Sequence, residues 1–391
     1  MRRTTTPLPS HTRSAVHAFA QSSPTKRHTE SSVSLSWFVS ATLESIQVTA
    51  TDHESFAPIL AAWNLDDADV FPIEIGLINR TYRLERNGER WILQCLNSLF
   101  DSAVHHDIEA VTAHLASKTL PTPRLVRTRD RNLWLDHDGV WRVFTFLEGR
   151  VVPRIEQPSM AQGVARFVAR FHGALSDLNH AFHFTRPGVH DMATHRARLE
   201  RALAEHRSHT LFDRVAPVAE RLLRLTEGLP DYAAHPRRIV HGDLKVTNVL
   251  FDDSGSEALA LLDLDTLARM PLAFEMGDAF RSWCNPGGED HTEARFDTSL
   301  FHAAIEGYGT AARDWITNDE WDVMVEATRV IALELATRFC ADALNERYFG
   351  FNAARYASRG EHNLVRARGQ LALADSIEDQ RAELERVLHE P

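Results

Sequence analysis

The sequence predicts an α+β chain in two lobes. A small antiparallel-sheet lobe is expected over 49–147 and a larger, mainly helical lobe over 148–391, behind a disordered extension at 1–48. Three observations predict this. Short alternating apolar runs with tight-turn signals crowd the first lobe. Helical spacing dominates after Glu148-Gly149, and one loop-and-strand segment, 238–265, interrupts the helices with a cluster of polar side chains.

Taken in order, FAPILAAW from Phe56 suits a short helix. FPIEIG and TYRLE alternate around Gly76 and Asn79, as two strands joined by a tight turn do. RNGERWILQCL extends the sheet, because Asn87-Gly88 between alternating apolar residues is a strong two-residue hairpin signal. Val104, Ile108, Val111 and Leu115 make a helical stripe over 101–116. LWLDHDGVWRVFTFL turns as another hairpin at Asp138-Gly139. Helical spacing then runs over 161–177, 194–225, 297–308, 318–344 and 364–388.

Composition narrows the class. The 391 residues exceed one compact core, and 43% hydrophobic with 25% charged residues is a globular balance. No apolar run reaches the ~18–20 residues of a membrane span. A net charge of −11, from 43 basic and 54 acidic residues, argues against a dedicated nucleic-acid binder, whose affinity comes from a basic surface. Cys95, Cys284 and Cys340 are scattered and form no CxxC, so they read as reduced core thiols of a cytoplasmic protein. The first 48 residues are rich in Ser and Thr and have no acid before Glu30, which suits a disordered or spurious extension, with an organelle transit peptide as the alternative.

The chemistry concentrates in Ile239-Val240-His241-Gly242-Asp243-Leu244-Lys245-Val246-Thr247-Asn248-Val249-Leu250-Phe251, followed by Leu261-Leu262-Asp263-Leu264-Asp265. Two apolar runs bracket a loop with a carboxylate, an ammonium and a carboxamide, and a third run delivers two more carboxylates. Phosphoryl transfer needs this equipment. Asp243 can accept a proton from an attacking hydroxyl, Lys245 can neutralise phosphate oxygens, and Asn248 and Asp263 offer hard oxygens to Mg²⁺. Asp263 in an apolar run is an expensive charge without a metal or cation beside it. Strand alternation would put Asp265 on the same face, as a further metal ligand; the other reading is a cap on the following turn. His241, heading the loop, reads as a structural residue.

Other candidates carry a plainer reading beside the functional one. Asp278 suits the first turn of a helix or a brace behind the loop, and Arg281 either reaches substrate or makes a surface ion pair. Asn79 and Thr81 lie on the turn best placed to cover nucleotide phosphates. Gln94 holds the strand position where a kinase normally has lysine, which leaves Glu109 without that partner. His190, Arg196, Arg281, Arg338 and Asp342 are polar residues on otherwise apolar stretches and are assigned to a substrate cleft; for Arg338 and Asp342 an i,i+4 ion pair is the alternative. The remaining histidines show no metal-ligand spacing, and His105-His106 reads as a solvated helix face.

Together these segments make the chain resemble the aminoglycoside-phosphotransferase-like kinases, and within them the N-acetylhexosamine 1-kinase group, over about residues 54–382. HGDLKVTNVLFD and LLDLDT carry the wider resemblance. GLINRTYRL, WILQCLN, FHFTRPGVHD with Arg196, and HNLVRARGQLAL carry the narrower one. The resemblance implies a protein-kinase-like fold and ATP- and Mg²⁺-dependent phosphorylation of a small-molecule sugar, at the anomeric hydroxyl of an N-acetylhexosamine. It implies Asp243 as catalytic base, Lys245 as a phosphate contact, and Asn248 and Asp263 as metal ligands. Asn79, Thr81, Gln94, Phe146 and Leu147 fall on the nucleotide side, and glutamine at 94 is similar to this group. Glu275 and Met276 depart from it, since the group tends to have Asp and a bulky apolar residue there.

Overall fold

A computed structural model describes residues 50–73, 79–186 and 188–389, with side chains from Phe56 onward. The first helix, α1 (Ala50–Ala61), precedes strands β1 (Asp69–Ile73), β2 (Arg80–Arg86) and β3 (Glu89–Leu96). Then come α2 (Val104–Ser117), β4 (Leu125–Val126), β5 (Leu135–Asp136) and β6 (Val140–Thr145). These strands form one antiparallel sheet in the order β1-β2-β3-β6-β4, with β5 also on β6. The Asn87-Gly88 hairpin is present, both residues at positive φ (53° and 83°) as a type I′ turn demands. The turn expected between β1 and β2 lies, apart from Asn79, outside the described residues.

Side-chain alternation gives the sheet two faces with different work. Leu84, Leu93, Cys95, Trp141 and Val143 pack with Phe56, Leu60 and Trp63 of the first helical segment. On the opposite face Thr81, Gln94 and Arg142 stand side by side across β2, β3 and β6, because the register pairs Thr81 with Gln94 and Gln94 with Arg142. This polar row runs toward the helical part.

After β7 (Arg150–Val151) the chain is mainly helical: α3 (Pro158–Ala174), α4 (Met192–Glu205) and α5 (Phe212–Leu225). Next come β8 (Arg237–Val240), β9 (Val249–Phe251), β10 (Ala258–Leu261) and β11 (Ala268–Pro271). The remainder is α6 (Leu272–Trp283), α7 (Thr298–Ala312), α8 (Asn318–Asp322), α9 (Met324–Asn345), α10 (Arg359–Asp379) and α11 (Arg381–His389). The sheet in the N-terminal region and the helical C-terminal part agree with the fold class read from sequence. Among the described residues no helix is long and apolar enough to cross a membrane.

Three expected long helices are each broken in two. The 194–225 pattern is interrupted between Glu205 and Phe212, where the backbone turns. A single residue, Val323, separates α8 from α9. Gln380 separates α10 from α11, its amide donating to the Phe296 and Ser376 carbonyls. Apolar spacing persists through each break because both halves face one core, so periodicity alone does not reveal the joint.

Helix α9 is the hub of that core and packs against α4, α5, α6 and α10. The contact with α6 depends on Gly277, where a Cβ would lie 2.7 Å from the Ala327 carbonyl oxygen. This close approach fixes α6 directly beneath the loop that follows β8.

Candidate functional site

The loop between β8 and β9 is built from local sequence and held from behind. Gly242 has φ +82°, and a Cβ there would sit 2.3 Å from the Thr266 carbonyl oxygen, so the backbone conformation and the contact both require glycine. Glu275 of α6 is buried and receives the N–H groups of His241 at 2.8 Å and Gly242 at 2.9 Å. Burial pushes the Glu275 carboxyl up, but the bond from His172 and those backbone donors outweigh this and hold it below the usual range. Trp283 Nε1 donates to the Leu244 carbonyl, and Ser282 Oγ receives Val246 N–H. The brace expected of Asp278 therefore belongs to Glu275. His241 Nδ1 accepts from Asp243 N–H, so Nε2 carries the proton and donates to the Leu262 carbonyl at 2.7 Å. Both ring nitrogens are used structurally.

Asp243, Lys245 and Asn248 converge on the open side of the loop. Lys245 Nζ is 2.5 Å from Asp243 Oδ2, and Asn248 Nδ2 donates to the same oxygen at 3.0 Å and to the Asp243 carbonyl at 2.9 Å. Asp243 is part-exposed in its cleft. Burial there works to raise its carboxyl, but the Lys245 ammonium prevails and holds it below the usual carboxylate range. Lys245 in turn is opposed by burial and raised by Asp243 and Asp263. Because Asn248 spends its N–H₂ on Asp243, its Oδ1 is left as a hard oxygen facing away from that carboxylate.

Asp263 follows β10 in the left-handed region, φ 60° and ψ 59°, and begins a short 3₁₀ turn, Leu264–Thr266. Such a conformation costs on the order of 1–3 kcal/mol in a non-glycine residue and collects at functional sites. Among the described residues nothing hydrogen-bonds to its carboxylate. Burial and then the neighbouring Asp265 charge push its carboxyl up, with Lys245 opposing. A crowded carboxylate without a donor, which feels the charges of both Lys245 and Asp243, fits Mg²⁺, which takes few protein oxygens and keeps waters and phosphates as its other ligands.

Asp265 is a correction. The turn at Asp263 ends strand alternation, so the two acids do not share a face. Asp265 is buried, with Oδ1 2.5 Å from Arg142 Nη1 and Oδ2 2.7 Å from both Arg142 Nη2 and Asn79 Nδ2. Both oxygens are occupied by protein donors rather than open to a metal, and the side chain caps no turn. Burial acts to raise its carboxyl, and Arg142 overrides it downward. Arg142 also donates to Gln94 Oε1 at 2.8 Å, and Gln94 Nε2 donates to Thr81 Oγ1 at 3.1 Å. Asn79 Oδ1 receives Asn97 N–H. The side chains of Asn79, Thr81 and Gln94 thus form one network with Arg142 and Asp265. Phe146 and Leu147 follow β6, with the Arg90 guanidinium 4.4 Å from the Phe146 ring centre.

The candidate substrate residues divide. Arg281 is buried between Asp278 (2.6 Å) and Glu289 (2.7 Å), so it is neither a surface pair nor free to reach outward. Burial and the Asp243 charge push Asp278 up against the pull of Arg281. Arg196 is corrected to a structural residue, donating to the Leu223 carbonyl and Thr226 Oγ1 at the end of α5. Asp342 is likewise corrected: it receives the N–H groups of Arg347, Tyr348 and Phe349 and the Asn363 amide, so it makes no pair with Arg338. Arg338 pairs with Glu334 at 3.6 Å, and His190 approaches the same carboxylate at 3.3 Å. Glu109 finds Arg127. His105 is buried rather than solvated, and burial first, then Arg142, lowers it to about 4. His180 and His183, at i,i+3 spacing, both meet buried Asp107, a clamp between α2 and the chain before α4.

Arg142 and Glu334 were missed in the sequence reading, and Glu275 was read only as a departure from the resembled group, not as a brace. Each is a lone charge in an apolar run, in VWRVFTF, PLAFEMG and IALELAT, which is the same signal that marked Asp263.

Residues 69–315 match the model of the phosphotransferase enzyme family. Among solved structures the chain is similar to a microcompartment-associated aminopropanol kinase, with TM-score 0.56 and 16% identity over 85% of this chain and 98% of that one. It is similar to a choline kinase from Cryptosporidium parvum Iowa II, TM-score 0.53 and 14% identity over 84% and 96%. An aminoglycoside phosphotransferase from Alicyclobacillus acidocaldarius gives TM-score 0.52 and 16% identity over 80% and 94%. At these identities the likeness is one of fold.

Proposed function

The chain belongs to the phosphotransferase enzyme family, and from that premise we propose that it is an ATP- and Mg²⁺-dependent small-molecule kinase whose acceptor is a sugar hydroxyl, the anomeric hydroxyl of an N-acetylhexosamine. The observation that carries the reading is the carboxylate of Asp243, kept ionised by Lys245 and oriented by Asn248, in one loop with an undonated acid, Asp263, close by.

In this reading Asp243 orients the acceptor hydroxyl and takes its proton as the phosphoryl group arrives in line. An anomeric hydroxyl is more acidic than an ordinary alcohol, so a weak base held below the usual carboxylate range suffices. Lys245 offsets charge on the transferring group. Mg²⁺ held by Asn248 Oδ1 and Asp263 would supply neutralisation of the nucleotide phosphates. Arg142 supplies the buried cation of the sheet in place of the absent lysine and ties Asp265 to the Gln94 row, which supports the shape of the cleft around Asp263.

The test is the full chain with MgATP and a panel of hexosamines, hexoses, amino alcohols and aminoglycosides, followed by phosphorus NMR of products. A glycosyl 1-phosphate resonance from an N-acetylhexosamine is the expected outcome. Phosphorylation at another hydroxyl, or only of an amino alcohol or antibiotic, overturns the acceptor; inorganic phosphate as sole product overturns the kinase.

A further inference from the structure

A cavity of about 600 Å³ opens between α4, the end of α9 with its following turn, and the chain at 184–186 and 188–189. Its wall explains an oddity of the surface: Leu99 and Tyr348, the exposed large apolar side chains among the described residues, both stand on it. Apolar surface left open at one place marks a binding site more often than chance exposure does.

The charge of the wall is opposite to that of the chain. Arg186, Arg198, Arg201, Arg338 and Arg347 line it, against Glu205 and Asp342. Asp342 is consumed by three backbone N–H groups and Asn363. Arg338 is partly balanced by Glu334, and Arg186 donates to Tyr348 Oη. The guanidinium groups of Arg198, Arg201 and Arg347, all exposed residues, have no hydrogen-bond or ion-pair partner among the described residues. A protein with net charge −11 here presents a cluster of unmatched guanidinium groups.

Beneath this rim lies a buried acceptor. His195 is 3% exposed, its Nε2 donates to the Val189 carbonyl at 2.9 Å, and its Nδ1 has no partner among the described residues. Glu334 joins His195 (3.7 Å) and Arg338 to His190, and His190 stacks on Phe274 of α6. Through Arg338, Glu334 and His190 the cavity wall thus reaches α6, the helix whose Glu275 holds the reacting loop.

We propose, resting on the kinase reading above, that this cavity selects an anionic acceptor: a monosaccharide bearing a carboxylate or a phosphate. The anionic group sits on Arg198, Arg201 and Arg347, whose planar forks match those oxygens. The apolar face of the sugar covers Tyr348. Cationic acceptors, such as amino alcohols and aminoglycosides, are repelled by the same wall.

Calorimetry without ATP on the intact chain tests this with glucuronate, N-acetylglucosamine 6-phosphate, inorganic phosphate, N-acetylglucosamine and choline. The expected result is preference for one anionic sugar over N-acetylglucosamine by at least about tenfold, weakened by salt. The first two compounds separate a carboxylate from a phosphate, and phosphate alone reports a bare anion site. Arg201→Glu with Arg347→Glu should abolish that preference, while Arg313→Glu, an exposed reversal outside the cavity, should keep it. Equal or tighter binding of the neutral sugar or choline, no binding of either anionic sugar, a phosphate-only site, or a double reversal without effect overturns the proposal. Turnover with MgATP is measured in parallel. Anionic-sugar binding with no phosphorylated product fails the kinase reading and leaves the cavity assignment standing; turnover of a neutral sugar without anionic preference does the reverse.

Discussion

Arg142 of β6 and Asp265, 123 residues later, form a two-pronged ion pair with both side chains buried, at 2.5 and 2.7 Å. The pair joins the sheet to the segment that presents Asp263, and Gln94 and Asn79 complete the hydrogen bonding that two buried charges require. Arg142→Met leaves Asp265 unpaired in the interior and should lower stability by about 3–5 kcal/mol. Arg142→Met with Asp265→Leu should regain much of that loss. Urea unfolding of the three proteins checks this; a single variant as stable as wild type contradicts the assignment of the pair.

Asp243→Asn removes the group placed to take the acceptor proton while keeping its shape. Turnover should fall by roughly 10²–10⁴, with MgATP affinity and circular dichroism unchanged. Kinetics within threefold of wild type would remove Asp243 from that role.

The pH profile follows from the same carboxylate. Its value in the fold lies below the usual carboxylate range because Lys245 prevails over burial. Asp243 thus stays ionised as pH falls through the range where free aspartate titrates. The acid limb of kcat should lie below that range in wild type. Lys245→Met removes the cation, leaves burial opposed only by the weaker pull of His241 and Arg281, and should shift that limb upward. A limb unmoved by this change shows that another group sets it.

Asp263→Ala should abolish the Mg²⁺ dependence of nucleotide binding, because it removes the carboxylate without a protein donor. Titration calorimetry with ATP in the presence and absence of Mg²⁺ decides the matter. Unchanged MgATP affinity would contradict the metal assignment.

Glu275 links stability to acid. Its folded value is depressed below that of an unfolded glutamate, so its contribution is present above the unfolded value and is lost as pH falls through the folded one. Glu275→Gln sets an amide N–H₂ against the His241 or Gly242 N–H and should cost about 1–3 kcal/mol at neutral pH. It should also lose less stability than wild type on acidification. Parallel unfolding curves for the two proteins between neutral and acidic pH would count against the brace.

What local chemistry specifies, the chain announces directly. Alternation and Asn87-Gly88 dictate the β2-β3 hairpin, since strand faces and turn conformation depend on neighbouring residues. The contacts among Asp243, Lys245 and Asn248 span only six consecutive residues, so a glycine-enabled turn is enough to gather them. Tertiary structure alone chose the partners of buried charge. Asp265 reads as a metal ligand or turn cap until Arg142 arrives from another sheet, and Asp342 reads as an ion-pair partner until the chain beyond α9 folds back onto it. Glu275 and Glu334 are single acids in apolar helices whose purpose depends on residues up to 144 positions away. A buried charge states in sequence that it needs a partner, but which one it finds depends on how distant segments pack, and that information is not local.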